Sequence, residues 1–226
     1  MPSRLLCKPL APLIQLILDY NIFVPTTVAL IRWKAVDRIY RPVFILLCLG
    51  ATNEMISDFF RKKFHTNAPS ANIYTLFETI IYLWIFSRLG SLKGKKNLTL
   101  LLGVLTLVTW LADGLFIDDI SKDYFSYSNI CHGFMVTLLS ISSMNEILLT
   151  EKQITTSSMF WVFIGTIVFN TYLIIVEMFW IYGLHSINQF AGSVYSIQSW
   201  VDVFCNLIFA MAILWMPRKQ AYSLQF

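Results

Sequence analysis

Charge is what this sequence lacks most. Asp, Glu, Lys and Arg make up 13% of the 226 residues, whereas a soluble domain carries about 25%. So few ionisable groups cannot cover a globule with water-compatible surface, and the mean hydropathy of +0.64 points the same way. Most of the surface is therefore expected to face lipid. No polar stretch is long enough for a soluble domain, and no basic soluble module is present, which excludes nucleic acid as a partner despite the net charge of +4. Paired cysteines are missing too. Cys7, Cys48, Cys131 and Cys205 are scattered with no CxxC spacing, so they read as small apolar residues rather than a disulfide or zinc framework. Internal repeats and low-complexity segments are absent. Many carriers are built from repeats, so this counts against a carrier. The one GxxxG, Gly90 to Gly94, lies in a basic loop and not on a helix face.

What the chain does have is seven apolar runs, at about 12–32, 42–60, 71–89, 97–117, 124–149, 158–183 and 193–216. They lack the alternation of a membrane barrel, and apolar segments of this length satisfy their backbone in lipid only as helices. The expected fold is all-α: a polytopic membrane protein in which residues 1–226 form one bundle of seven transmembrane helices. Arg4 and Lys8 precede the first run as in a signal peptide, but the run is too long for one and no small-x-small site follows it. It reads as a retained first helix, with Pro25 as a kink.

The basic residues set an orientation. Arg32, Lys34, Arg38, Arg41, Arg88, Lys93, Lys95, Lys96, Lys152, Arg218 and Lys219 fall on one side. Arg4, Lys8, Arg61, Lys62, Lys63 and Lys122 fall on the other. Eleven against six predicts an outside N-terminus and a cytoplasmic C-terminus, in a plasma or inner membrane. The basic loops suit anionic lipid headgroups, and Trp33, Trp161, Trp180 and Trp215 suit interfacial belts.

Ionisable residues inside spans are the functional suspects. Asp19, Glu54, Asp58, Glu78, Asp113, Glu177 and Asp202 fall within the runs, with His132 as the one possible cationic partner well inside a span. Given antiparallel helices, all eight land in the same, outer half of the bilayer. Helical spacing then gathers polar faces: Tyr195, Gln198, Asp202 and Asn206 on the seventh run, Tyr74, Glu78 and Tyr82 on the third, Asn129 and His132 on the fifth, Asn170 and Glu177 on the sixth. Glu54, Glu78, Asn129, His132, Asn170, Glu177, Gln198 and Asp202 are the expected ligand-binding residues. His132, Glu54, Glu78 and Asp202 are the candidates for a metal. Carboxylates without internal cations cannot all ionise in low dielectric; they share protons, carry raised pKa values or meet a bound cation. Arg61, at the outer end of the second run, can fold back to neutralise one of them.

Known seven-helix classes do not fit at the residue level. A retinal protein needs a lysine in its last helix, and none is there. Membrane zinc hydrolases of the alkaline ceramidase kind use several embedded histidines, where this chain offers His132 alone. The carriers with a Pro-Gln motif are excluded because no such pair occurs. Three readings remain open: a sensor or receptor-like protein binding a cation, proton or small cationic ligand from outside; a cation- or proton-coupled transporter; and a metal-dependent membrane enzyme using Glu, Asp and His132. A one-sided polar pocket favours the first, since alternating access calls for polar lining toward both faces.

Overall fold

The computed structural model describes residues 20–117, 123–150, 154–182 and 188–217, with Ile14, Ile17, Leu18 and Ile120 in addition. Asp19, Cys7, Lys122, Lys152, Arg218, Lys219 and the first basic residues lie outside the described residues, as does the side chain of Tyr195. The helices are α1 (Phe23–Arg32), α2 (Arg41–Phe64), α3 (Ala68–Leu89), α4 (Lys96–Phe116), α5 (Ser126–Thr150), α6 (Ser158–Ile181) and α7 (Asn188–Trp215). No strand occurs among the described residues, so the all-α expectation holds.

Five of the helices, α2 and α4 to α7, are long and apolar enough to cross a membrane. The expected count of seven spans is not reached on that measure. Helix α1, at 10 residues, extends about 15 Å, half of a hydrocarbon core of about 30 Å. A turn at Asn21–Ile22 precedes it. Pro25 accounts for that break: its ring would collide with the carbonyl of Asn21, four residues back, and it has no N–H to donate there. The Asn21 carbonyl instead accepts from Val24 N at 3.1 Å. Helix α3 has the length, 22 residues or about 33 Å, but is too polar to count by composition.

The reason is its position. Helix α3 packs against α2, α4 and α5, so one face carries buried Ser70, Asn72, Glu78 and Thr79. The opposite stripe of Ile73, Phe77, Ile80 and Trp84 is exposed and wholly apolar. The remaining order is sequential, α5 on α6 and α6 on α7, and α7 returns to α1 to close the ring. Glycine permits close helix–helix approaches. A Cβ on Gly133 would meet Ile174 at 2.8 Å, and one on Gly165 would meet the Phe209 ring at 2.8 Å.

Helix ends follow local chemistry. Pro69 opens α3 in its first turn, where its missing N–H has no helical partner to lose. Helix α2 runs past the expected residue 60 because Arg61, Lys62 and Lys63 favour the negative end of its dipole. It stops at His65, which adopts the left-handed conformation (φ 60°).

The bundle interior is segregated by end. The apolar core comes from the C-terminal ends of α1, α3, α5 and α7 and the N-terminal ends of α2 and α6, including Ala29, Phe44, Phe86, Val136, Phe163 and Ile213. At that end Arg32 donates to the carbonyls of Ile213 in α7 and of Met216 just beyond it. The Ser91 amide there donates to Ser143 Oγ at 2.9 Å. The opposite end holds the buried ionisable side chains Glu78, Asp113 and His132.

Candidate functional site: a polar network at one end of the bundle

Helix α3 supplies the spine of the network. Tyr74, Thr75, Glu78, Thr79 and Tyr82 lie on adjoining faces three and four residues apart. Glu78 is 6% exposed and His132 of α5 is 1% exposed. Glu78 Oε1 accepts from the Tyr74 hydroxyl at 3.0 Å, and Glu78 Oε2 lies 3.5 Å from His132 Nε2. The other imidazole nitrogen, Nδ1, is 2.7 Å from Thr79 Oγ1. Beneath His132 the ring of Tyr82 is 6.0 Å away. Tyr82 stacks on Phe86, and Phe86 on Phe163 at 5.8 Å. These rings form the floor where polar interior gives way to apolar core.

One turn toward the polar end, Asn129 joins three helices. Its Oδ1 accepts from Thr75 of α3 at 3.1 Å, and its Nδ2 donates to Glu177 Oε1 of α6 at 2.8 Å. Glu177 Oε2 accepts from Ser126 Oγ at 2.7 Å. Ser126 and Asn129 occupy the first turn of α5, so Glu177 also faces the positive end of that helix. Asn170, fully buried on α6, donates to the Thr166 carbonyl at 2.9 Å, and both residues lie beside the Tyr82 hydroxyl.

A second cluster gathers on α2 and α7. Arg61 folds back over its own helix and pairs with both Glu54 (3.6 Å) and Asp58 (3.7 Å). The sequence reading allowed Arg61 to neutralise one carboxylate; it serves two. Tyr20 donates to Asp58 Oδ2 at 2.5 Å. Asp202, half-buried on α7, interacts electrostatically with Glu54 and with Tyr74, which links this cluster to Glu78. Gln198 is half-buried on the same helix. Asn206, read as part of a polar stripe, donates to Asn21 and ties α7 to the segment ahead of α1. Tyr124, outside the helices, bridges the mouths of the two clusters. Burial pushes its phenol above the ordinary range; Arg61 opposes this and Glu177 adds to it.

Asp113 turns out to have a structural partner. It is 1% exposed, and its Oδ2 accepts from the Ser128 amide at 2.8 Å. It thereby caps the first turn of α5 from a neighbouring helix. Asn72 secures the same loop, accepting from Phe125 N at 3.1 Å and donating to the Asp123 carbonyl at 2.9 Å. Thr75, Thr79 and Ser126 were not singled out from the sequence. Thr75 and Thr79 sit four residues apart, beside Tyr74 and Glu78, and that adjacency is the signal that marks them.

Among the described residues no group of three or more His, Cys, Asp or Glu side chains draws together as a metal site. No protein family, characterised protein or solved structure matches this chain. Fold and site together define a class: an all-helical chain with five helices long and apolar enough to cross a membrane, compatible with an integral membrane protein, and with buried Glu78, Asp113 and His132 gathered at one end of the bundle.

Proposed function

We propose that this chain is a seven-helix, receptor-like membrane protein that binds a proton or small cationic ligand within its polar end. The reading rests on one observation: the network from Glu177 and Glu54 through Glu78 and His132 ends on the Tyr82–Phe86–Phe163 floor. A ligand entering from the polar end meets carboxylates and amides, and then an apolar layer it cannot cross. That arrangement suits binding and response more than passage. Glu54, Glu78, Asn129, His132, Asn170, Glu177, Gln198 and Asp202 are the proposed contacts.

The test uses the purified protein in detergent and in sealed vesicles. Protons, alkali and divalent cations and small amines are titrated against thermal unfolding. One ligand is expected to stabilise, by about 2.7 kcal/mol at one hundred times its Kd, without moving charge across the bilayer. Flux coupled to that ligand makes the protein a transporter instead; stabilisation by none removes the reading.

The span count belongs to the same proposal. Two features support α3 as a crossing element: its length and its outward apolar stripe. The basic residues Arg32, Lys34, Arg38, Arg41, Arg88, Lys93, Lys95 and Lys96 flank the apolar end, which supports a cytoplasmic location for that end. Reporters fused at the C-terminus and inserted between residues 183 and 187, in the connection from α6 to α7, are expected on opposite sides, the former inside. Both on one side would rule out seven crossings with this order.

A further inference from the structure

We infer that Glu78 and His132 form a proton-binding site, holding between Oε2 and Nε2 one proton beyond those of an ionised carboxylate and a neutral imidazole. The inference rests on the receptor-like reading only in taking that proton as the ligand; its chemistry stands on the hydrogen bonds. Thr79 has one hydroxyl hydrogen. We assign it to the 2.8 Å contact with the Thr75 carbonyl, the bond a helical threonine makes to the residue four back. Thr79 Oγ1 is then the acceptor for His132 at 2.7 Å, so Nδ1 carries hydrogen.

A neutral imidazole with hydrogen on Nδ1 presents a bare lone pair at Nε2. That atom is buried, makes no hydrogen bond among the described residues, and faces Glu78 Oε2 across 3.5 Å. Two lone pairs opposed in a dry interior repel each other. One proton removes the conflict, as a neutral carboxyl donating to Nε2 or as an imidazolium donating to the carboxylate. The composition is the same in both forms, and the pair has no net charge. Closing the 3.5 Å gap to the roughly 2.8 Å of a charge-assisted bond is a movement of about 0.7 Å.

The surroundings favour keeping that proton. Tyr74 donates to the other carboxyl oxygen, and Tyr82 lies below the imidazole. Asn129 carries the contact to Glu177 on α6, while Asp202 reaches Tyr74 from α7 and Glu54 reaches Asp202 from α2. The titratable neighbours among these are acids or phenols, and Arg61 is engaged with Glu54 and Asp58. Removing the proton would leave a buried carboxylate among other acids. With it, α3 and α5 are joined at the floor; without it, a carboxylate oxygen and the bare Nε2 lone pair oppose each other across the α3–α5 contact.

The experiment uses the full chain in lipid nanodiscs with ¹⁵N-histidine, in a His65→Gln/His185→Gln background so that His132 gives the one imidazole signal. Between about pH 5 and 8, Nδ1 is expected to carry hydrogen throughout. Either the spectrum shows an imidazolium or infrared difference spectra show a protonated carboxyl band. Whichever is present is expected to vanish in Glu78→Gln, whose amide can donate to Nε2 without an extra proton. A neutral imidazole with hydrogen on Nε2 and bare Nδ1, together with an ionised Glu78, overturns the inference. So does an imidazolium that persists in Glu78→Gln, because the proton then belongs to His132 alone. Should that variant fail to fold, the native protein still decides: a neutral imidazole with no protonated carboxyl band between about pH 5 and 8 overturns the inference, whichever nitrogen carries hydrogen. Stabilisation by a metal or amine that survives loss of the shared proton would overturn this site yet leave the receptor-like reading in place.

Discussion

Leucine in place of His132 is expected to destabilise the protein by about 3–5 kcal/mol, the largest effect of any single change considered. The substitution removes one member of a buried pair and leaves Glu78, at the meeting point of α3 and α5, with the Tyr74 hydroxyl as its remaining close partner. Loss of packing is a smaller part of this, because leucine fills most of the imidazole volume. The double variant Glu78→Leu/His132→Leu separates the two contributions. With both polar groups gone no unpaired charge is buried, and such replacements are often neutral or stabilising. The double variant should recover at least half of the single-mutant loss. Equilibrium unfolding of the purified proteins in mixed micelles, arranged as a double-mutant cycle, gives the coupling directly. A His132→Leu loss within about 0.5 kcal/mol of zero, the range of surface substitutions, would mean that water reaches the pair and that the dry-interior argument fails.

What was legible beforehand follows from what periodicity can carry. Helix positions along the chain were readable because apolar runs of membrane length have few alternative conformations in lipid. The gathering of Glu54, Glu78, Asp113, Glu177 and Asp202 toward one end was readable for a related reason: antiparallel helices turn position along the chain into depth, with exposed Glu146 near the other end of α5 as an exception. Partners were not readable. Nothing in the sequence distinguishes Asp113, which caps the α5 amide of Ser128, from Glu177, which accepts from Asn129 and Ser126; both are acids late in their helices. That distinction depends on the rotation of each helix against its neighbour, and close approaches such as Gly133 against Ile174 set that rotation. Arg61 shows the same limit. Its length allowed one contact back toward the bundle, but only the geometry of α2 brings Glu54 and Asp58 to the same guanidinium. The polarity of α3 was a different matter. An apolarity count passes over it because an inner helix is polar where its neighbours touch it, and its outward stripe of Ile73, Phe77, Ile80 and Trp84 is too narrow to raise the average.

Arg32→Met is expected to act at the opposite end, through the floor rather than the network. Arg32 is the last residue of α1, and its guanidinium donates to the Ile213 and Met216 carbonyls. Ile213 is in the final turn of α7 and Met216 follows its last residue; carbonyls at a helix C-terminus lack helical donors. A cation there satisfies acceptors and complements the helix dipole. Methionine keeps the apolar stem and removes the charge, with an expected loss of about 1.5–3 kcal/mol, the scale of a hydrogen bond to a charged group. The change should be local before it is global. Amide hydrogen exchange is expected to rise first over residues 210–216, where Ile213 and Met216 pack into the apolar core, and not over the Glu78 turn of α3. Cation leak in vesicles then tests what the apolar end does. If the floor blocks passage, loosening its α1–α7 clamp raises leak while ligand stabilisation at the polar end stays unchanged, because no network residue has been touched. If leak and stabilisation change together, the two ends are mechanically coupled, and the clamp is part of the response to binding. Unchanged exchange at residues 210–216 would show that the guanidinium contributes nothing to holding α7, and the floor would have to be closed by ring packing alone.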